Sequence, residues 1–250
     1  MLGPSGSPAA IRAAGMGYLT HNGDEKMGCP IHNLVAWTTV NTETRRPAVK
    51  KLTRKGQETR HRIVAAAAEL MYERGVTEAT LEDVRAAAGV SGSQIYHYFA
   101  DKQALLLAVI EYQTEAVLDT QQSLFAGLDS MAGLRRWRDA LVEYQRRLQC
   151  RGGCPIGSLG SEVAETNPEA RLAVASGFLR WEAAIRDGLR AMHARGELDG
   201  DPDDLALATL AALQGGLLLT QIQREVRPLE VALDAMLDHI ESRTTLNGRP

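Results

Sequence analysis

A chain of 250 residues that is 44% hydrophobic and 24% charged suits a soluble globular protein of one or two domains. Its net charge is only −3, and its three cysteines, Cys29, Cys150 and Cys154, are too few for a disulfide framework and suit a reducing compartment. Ala and Leu dominate, and long, capped, periodic segments predict an all-α fold.

Residues 1 to about 50 carry Gly3, Pro4, Gly6, Pro8, Gly15, Gly17, Gly23, Gly28, Pro30 and Pro47 with no sustained hydrophobic period. They read as a disordered extension, 1–52, that ends in a basic arm. No apolar run follows an N-terminal charge, so no secretory signal is expected and the chain is placed in the cytoplasm. Cys29 and His32 offer two metal ligands, but no second pair has matching spacing, so neither metal nor cofactor is expected. From Arg45 to Arg62 there are eight Lys/Arg against one acid, Glu58, a local charge of +7 in a chain of net −3. Such a concentration is either a solvated face or the footprint of a phosphate-binding surface.

Gln57 to Arg74 predicts a first helix, with Ile63, Ala67, Leu70 and Met71 on one face and Gly75 ending it. Next comes TLEDVRAAAGVSGSQIYHYF, residues 80–99, which reads as two short helices around a tight turn. Thr80 is an N-cap with Asp83 three residues on, and Ser91 is a second N-cap with Gln94 three residues on. Gly89 breaks the first of these helices, because a residue without Cβ accepts left-handed backbone. Ile95 and Phe99 share the inner face of the second. Ser91, Ser93, Gln94, Tyr96, His97 and Tyr98 are left to point elsewhere. None is negative and all can hydrogen-bond, which suits a helix in a DNA major groove. An ordinary αα-hairpin with a polar face is the competing reading, and the adjacent basic run favours the helix-turn-helix.

Thr59, Ile63, Ala66, Ala67, Leu70, Gly75, Thr80, Val84, Ala88-Gly89-Val90-Ser91, Ile95-Tyr96-His97-Tyr98-Phe99, Lys102 and Leu105 together carry a longer pattern. Over residues 53–125 the chain resembles the DNA-binding domain of the tetracycline-repressor (TetR) family of bacterial regulators. It departs from that family at Ser93, where the usual residue is glycine and the glycine here, Gly92, comes one place earlier. The resemblance implies that Thr80, Ser91, Ser93, Gln94, Tyr96, His97, Tyr98 and Lys102 contact double-stranded DNA. Lys102, in the first turn of a helix capped by Asp101, is expected to grip phosphate. Family members begin with a short basic arm, so the extension is expected to reflect an upstream start assignment, with Val49 or a nearby codon as the true start.

The helix capped by Asp101 is expected to run to about Gln122. Met131 to Gln149 is amphipathic through Leu134, Trp137, Leu141, Tyr144 and Leu148, and a loop Cys150–Gly157 follows. Asn167-Pro168 and Asp201-Pro202 are helix starts, cap then N1 proline. Leu205 to Ile222 holds eighteen residues without a charge, long enough for a marginal membrane span. Thr209, Gln214, Thr220 and Gln221 argue instead for a helix buried on all sides, and no membrane partner is expected. Pro228 opens a last helix, and a tail spans 244–250. The stretch Cys154-Pro-Ile-Gly157 resembles a TetR subgroup similar to the LmrA and YxaF regulators.

The resemblance implies an N-terminal three-helix head and a helical body, residues 126–243, for ligand binding and dimerisation. It further implies a homodimer that reads a palindromic operator and is a repressor released by a small molecule. A flat, mostly apolar aromatic molecule is expected among Trp137, Tyr144, Cys154, Phe178, Trp181 and Gln214. Leu213, Leu217, Leu233 and Met236 are expected at the dimer interface, where the last two helices pair with their copies. A thiol sensor using Cys150 and Cys154 is the alternative. The six histidines, His21, His32, His61, His97, His193 and His239, fall in no catalytic motif, so an enzyme is not expected.

Overall fold

Residues 52–244 are described by a computed structural model; the N-terminal extension, half of the basic run (Arg45, Arg46, Lys50 and Lys51), the Cys29/His32 pair and residues 245–250 lie outside them. Among the described residues the secondary structure is helical, in ten segments, with one isolated bridge between Leu198 and Thr244.

Helix α1 (Arg54–Arg74) starts at Thr53, whose hydroxyl accepts from the Gly56 N–H. Helices α2 (Leu81–Ala88) and α3 (Gly92–Tyr98) each open with a complete capping box, Thr80 with Asp83 and Ser91 with Gln94. Two of the first orphan N–H groups of each helix are thereby satisfied. Gly89 turns the chain between them at φ +62, where a side chain would be strained. Ile63, Ala67 and Met71 of α1 join Val84, Ala88, Ile95 and Phe99 in one buried cluster. Arg62 donates to the Ala88 carbonyl at 2.9 Å, and the Arg60 guanidinium lies 5.1 Å from the centre of the Phe99 ring. Both contacts tie α1 to the helix-turn-helix.

Helix α4 (Lys102–Asp119) continues from this unit, capped by Asp101. Its Leu105, Val109 and Ile110 enter the same core. A short α5 (Gln122–Phe125) leads to α6 (Met131–Arg147), and then come α7 (Pro155–Val163), α8 (Pro168–Ala194), α9 (Pro202–Gln223) and α10 (Arg227–Ser242). Helix α4 packs on α1, α7 and α8; α9 packs on α8 and α10; and α10 also packs on α6. Arg135, Arg138 and Arg146 of α6 pair with Glu241, Asp234 and Glu230 of α10, along a seam between the two helices.

Two expectations are corrected here, at α7 and at Thr244, and the exposure of α9 in the single chain is set beside them. Residues 155–157, expected in the loop, instead open helix α7: Cys154 is an N-cap, Pro155 sits at N1, and Gly160 faces Val174 so closely that a Cβ would lie 3.0 Å from it. Helix α9 is apolar on all sides but is not buried on all sides within the chain. Leu207, Leu218 and Ile222 are 56%, 55% and 67% exposed, in line with exposed Ala211 and Gly215. Thr244 is not a free tail residue, because it bridges to Leu198 while the Asp199 N–H donates to the Arg243 carbonyl at 2.8 Å.

Candidate nucleic-acid interface and interior cavity

The polar residues of the helix-turn-helix divide into two groups. Thr80 and Ser91 are caps, and their hydroxyls accept from the Asp83 and Gln94 N–H groups. The Gln94 side-chain carbonyl accepts from the Ser91 N–H at 2.9 Å. These three side chains first hold the two helices in place. Tyr96 is 62% exposed and, with His97 and Ser93, forms the outer face of α3, free of the core. Tyr98 is half-buried, with its hydroxyl near Gly56 of α1 and its ring edge-on to His97. The Lys102 ammonium donates to the Thr77 carbonyl at 2.9 Å, which clamps the α1–α2 connection and leaves two of its three protons for another acceptor. Of the described basic residues before Ile63, Arg54 pairs with Glu58, while the Lys55 side chain stands exposed.

A cavity of about 550 Å³ lies in the body. Its walls come from α4 (Gln113, Ala116, Val117), α6 (among them Leu141, Tyr144 and Gln145) and Leu148 at its end, Cys154 and Pro155, Trp181 of α8 and Leu217 of α9. Tyr72 of α1 completes it. No sequence signal marks that tyrosine, which follows Met71 on α1 and is 46% exposed. The loop at the cavity's edge is unusual. Gln149, Cys150, Gly152 and Gly153 all have positive φ. A Cβ on Gly152 would lie 1.9 Å from the Tyr72 hydroxyl, and one on Gly153 would lie 2.4 Å from Gln221 Oε1. Arg224 donates to the Cys150 carbonyl at 3.1 Å. The loop therefore joins the first helix, the cavity and the C-terminal end of α9. On the far side of α7, Glu162 accepts from the Val76 N–H at 2.6 Å, just past the end of α1.

Of the residues expected to hold a ligand, the cavity brings together Tyr144, Cys154 and Trp181. The other three stand outside its lining. Trp137 stands behind the wall, fully buried, and its indole N–H donates to Gln121 at 2.8 Å. Phe178 packs half-buried against the core, one turn before Trp181 on α8, and does not line the cavity. Gln214 does not line it either, and its carbonyl oxygen faces Gly157. The expected interface residues are covered to different degrees within the single chain. Leu213, Leu217 and Leu233 are 0%, 4% and 0% exposed within the single chain as part of its own core, and Met236 is half-buried against the same core.

The Cys154 thiol is not poised as a nucleophile. Cys150 and Cys154 are both buried and free. Burial pushes the Cys154 thiol up, against the smaller opposing effect of the Gly157 N–H that its sulfur accepts. A protonated, desolvated thiol is a weak nucleophile. Burial likewise raises the Tyr72 phenol, which stays neutral.

With this geometry in hand, comparison with known proteins is informative. The family model described as bacterial regulatory proteins, tetR family, matches residues 63–109. The model described as tetracyclin repressor-like, C-terminal domain, matches residues 130–236. The chain is 31% identical to the transcriptional regulator AcuR of Cereibacter sphaeroides over 186 residues, 73% of this chain and 85% of that one. It is similar in structure to a TetR transcriptional regulator from Chloroflexus aurantiacus, with 33% identity and a TM-score of 0.65 over 77% of this chain and 98% of that one. The reduced form of Escherichia coli NemR matches with 26% identity and a TM-score of 0.61 over 75% and 98%.

Proposed function

The chain belongs to the TetR family of bacterial transcription regulators, which bind DNA, and we propose that it is a homodimeric repressor released from a palindromic operator by a small, mostly apolar aromatic molecule. In this reading residues 53–125 are the DNA-binding domain and 126–243 the ligand-binding and dimerisation domain, acting in the cytoplasm. Ser93, Tyr96 and His97 read bases, while Lys102 and Lys55 grip phosphate. The exposed stripe of Leu207, Ala211, Gly215, Leu218 and Ile222 on α9 pairs with its copy, together with Val231 of α10. This face replaces the buried leucines expected from sequence.

The observation that carries the reading is the presence of Tyr72 in the cavity wall. Tyr72 lies on α1, the helix that packs directly on the helix-turn-helix. A molecule in the cavity thus touches the same rigid element that positions α3. Release requires that the molecule bind the non-operator arrangement better than the operator one; equal affinity would shift nothing. A tenfold loss of operator affinity needs about 1.4 kcal/mol of coupling.

The test uses operator duplexes selected by the purified protein from a random pool, then challenged with a panel of uncharged aromatic compounds. Release of the wild type but not of Tyr144→Ala supports the reading. Tyr144 is chosen because it lies on the cavity but is 53% exposed, so its loss leaves the core intact. Retention of DNA across the whole panel counts against ligand response.

A second reading, a thiol-based redox regulator using Cys150 and Cys154, is favoured by the structural likeness to NemR, which was solved in a form named as reduced. The raised Cys154 thiol weighs against it. Loss of operator binding with peroxide, absent in Cys154→Ser, would reverse that order.

A further inference from the structure

Resting on the reading of the cavity as an effector site, we infer that its occupant is an uncharged, largely apolar molecule with a hydrogen-bond acceptor and a donor at one end, as in a phenol, with Trp181 donating to it and Gln145 accepting from it. Three features of the wall lead there.

The first is charge. Among the described residues, Glu143 and Arg147 are the only charged side chains lining the cavity, and they pair with each other at 3.2 Å. Both are exposed, so they mark the mouth rather than the depth. No other described lining residue carries a charge to balance a carboxylate or an ammonium, and a charge buried without a partner is strongly disfavoured. Cys154, in the same wall, stays neutral because burial raises its thiol.

The second is shape and polarity. Ala116, Val117, Leu124, Leu141 and Leu217 supply an apolar lining for the body of the molecule. The volume of about 550 Å³ falls within the range usual for small-molecule sites.

The third is a pair of orphaned polar atoms. Trp181 and Gln145 both line the cavity, and they are 2% and 3% exposed. The indole N–H of Trp181 and the side-chain carbonyl of Gln145 have no hydrogen-bond partner. Buried polar groups are ordinarily paired, and leaving one unpaired is costly. The neighbouring wall residue Gln121 shows the contrast. Its carbonyl accepts from Trp137 and its amide donates to the Val117 carbonyl, so both ends of that side chain already have a partner within the protein. A hydroxyl at the deep end completes both orphans at once: its oxygen accepts from Trp181 and its proton goes to Gln145. A hydrocarbon leaves both unsatisfied, and an anion exchanges its full hydration for the one Trp181 donor while setting its charge against the Gln145 carbonyl.

The test is titration of the purified full chain with three probes of one shape: 2-naphthol, naphthalene and 2-naphthoate, followed by calorimetry. We expect 2-naphthol to bind about tenfold or more tightly than naphthalene, and 2-naphthoate to bind more weakly than either. Trp181→Phe and Gln145→Leu should each remove most of the naphthol preference and leave naphthalene affinity nearly unchanged. A simple packing defect would instead weaken both neutral probes alike. Naphthoate binding as tightly as naphthol, or a naphthol preference that survives both substitutions, overturns the inference while leaving the cavity a ligand site. If the folded protein binds none of the three, the cavity reading itself fails.

Discussion

Leu218→Glu is the perturbation that most sharply separates the dimer face from the core. Leu218 is 55% exposed in the single chain, on a line of helix α9 that also holds Leu207, Ala211, Gly215 and Ile222. A Cβ at Gly215 would meet nothing within 4 Å, so the stripe is open for a second helix to approach. Fully burying a leucine stabilises by about 1.5–3 kcal/mol, so covering the exposed half of Leu218 is worth roughly 1 kcal/mol per copy. A glutamate there would lose that and leave a carboxylate without a partner in a desolvated interface, at about 3 kcal/mol or more. Two-fold symmetry applies the penalty twice, roughly 6 kcal/mol, or about four orders of magnitude in the dimer dissociation constant. Sedimentation velocity at micromolar concentration should show a monomer, while circular dichroism shows retained helix. Leu213→Ala should do the opposite. Leu213 is 0% exposed in its own chain, so its truncation should cost about 2–5 kcal/mol of folding stability. A Leu218→Glu variant that sediments as a dimer of wild-type stability would refute this assignment of the face.

Three further outcomes are expected. Tyr96→Ala should lower affinity for the selected operator by about tenfold or more, with an unchanged melting temperature, since the ring stands clear of the core; equal operator affinity by gel shift would remove Tyr96 from the reading face. Lys55→Ala should weaken specific and random duplex binding alike and reduce the salt slope by about one unit, checked by fluorescence anisotropy across a salt series. Cys154→Ser should flatten the alkaline loss of stability. The folded thiol is held above its ordinary value of 9.0 by burial, so its contribution is intact below that value and is lost as pH rises through the folded one, with a slope of up to about 1.4 kcal/mol per pH unit. Denaturant melts between pH 8 and 10 that run parallel for the two proteins would count against a buried neutral thiol.

The head was legible because its signals are local. Caps at Thr80 and Ser91, the break at Gly89 and the Ile95/Phe99 pair each rest on spacings of four residues or fewer. The body was less legible because its assignments depend on which face of a helix meets which neighbour. Helix α9 is apolar all round, so the sequence carries no stripe to separate Leu213 and Leu217, which face inward, from Leu218 and Ile222, which face out. Helix α7 was missed because Gly157 and Gly160 weaken a helical pattern, yet both sit where α7 closely approaches its neighbours. Trp137 and Trp181 looked equivalent as aromatic candidates. Only packing reveals that Gln121 satisfies the first while the second is left without a partner. Tyr72 gave no signal as a cavity residue, because the loop that meets it lies about eighty residues further along the chain.

Capture of fragmented genomic DNA from the source organism by the purified full-length protein, followed by sequencing, tests the central claim most directly. The account predicts a small set of fragments sharing an inverted repeat, with half-sites spaced by the two α3 helices of one dimer and lost from the captured pool when Tyr96→Ala protein is used. Recovery that follows DNA length alone, with no shared sequence at physiological salt, would contradict it.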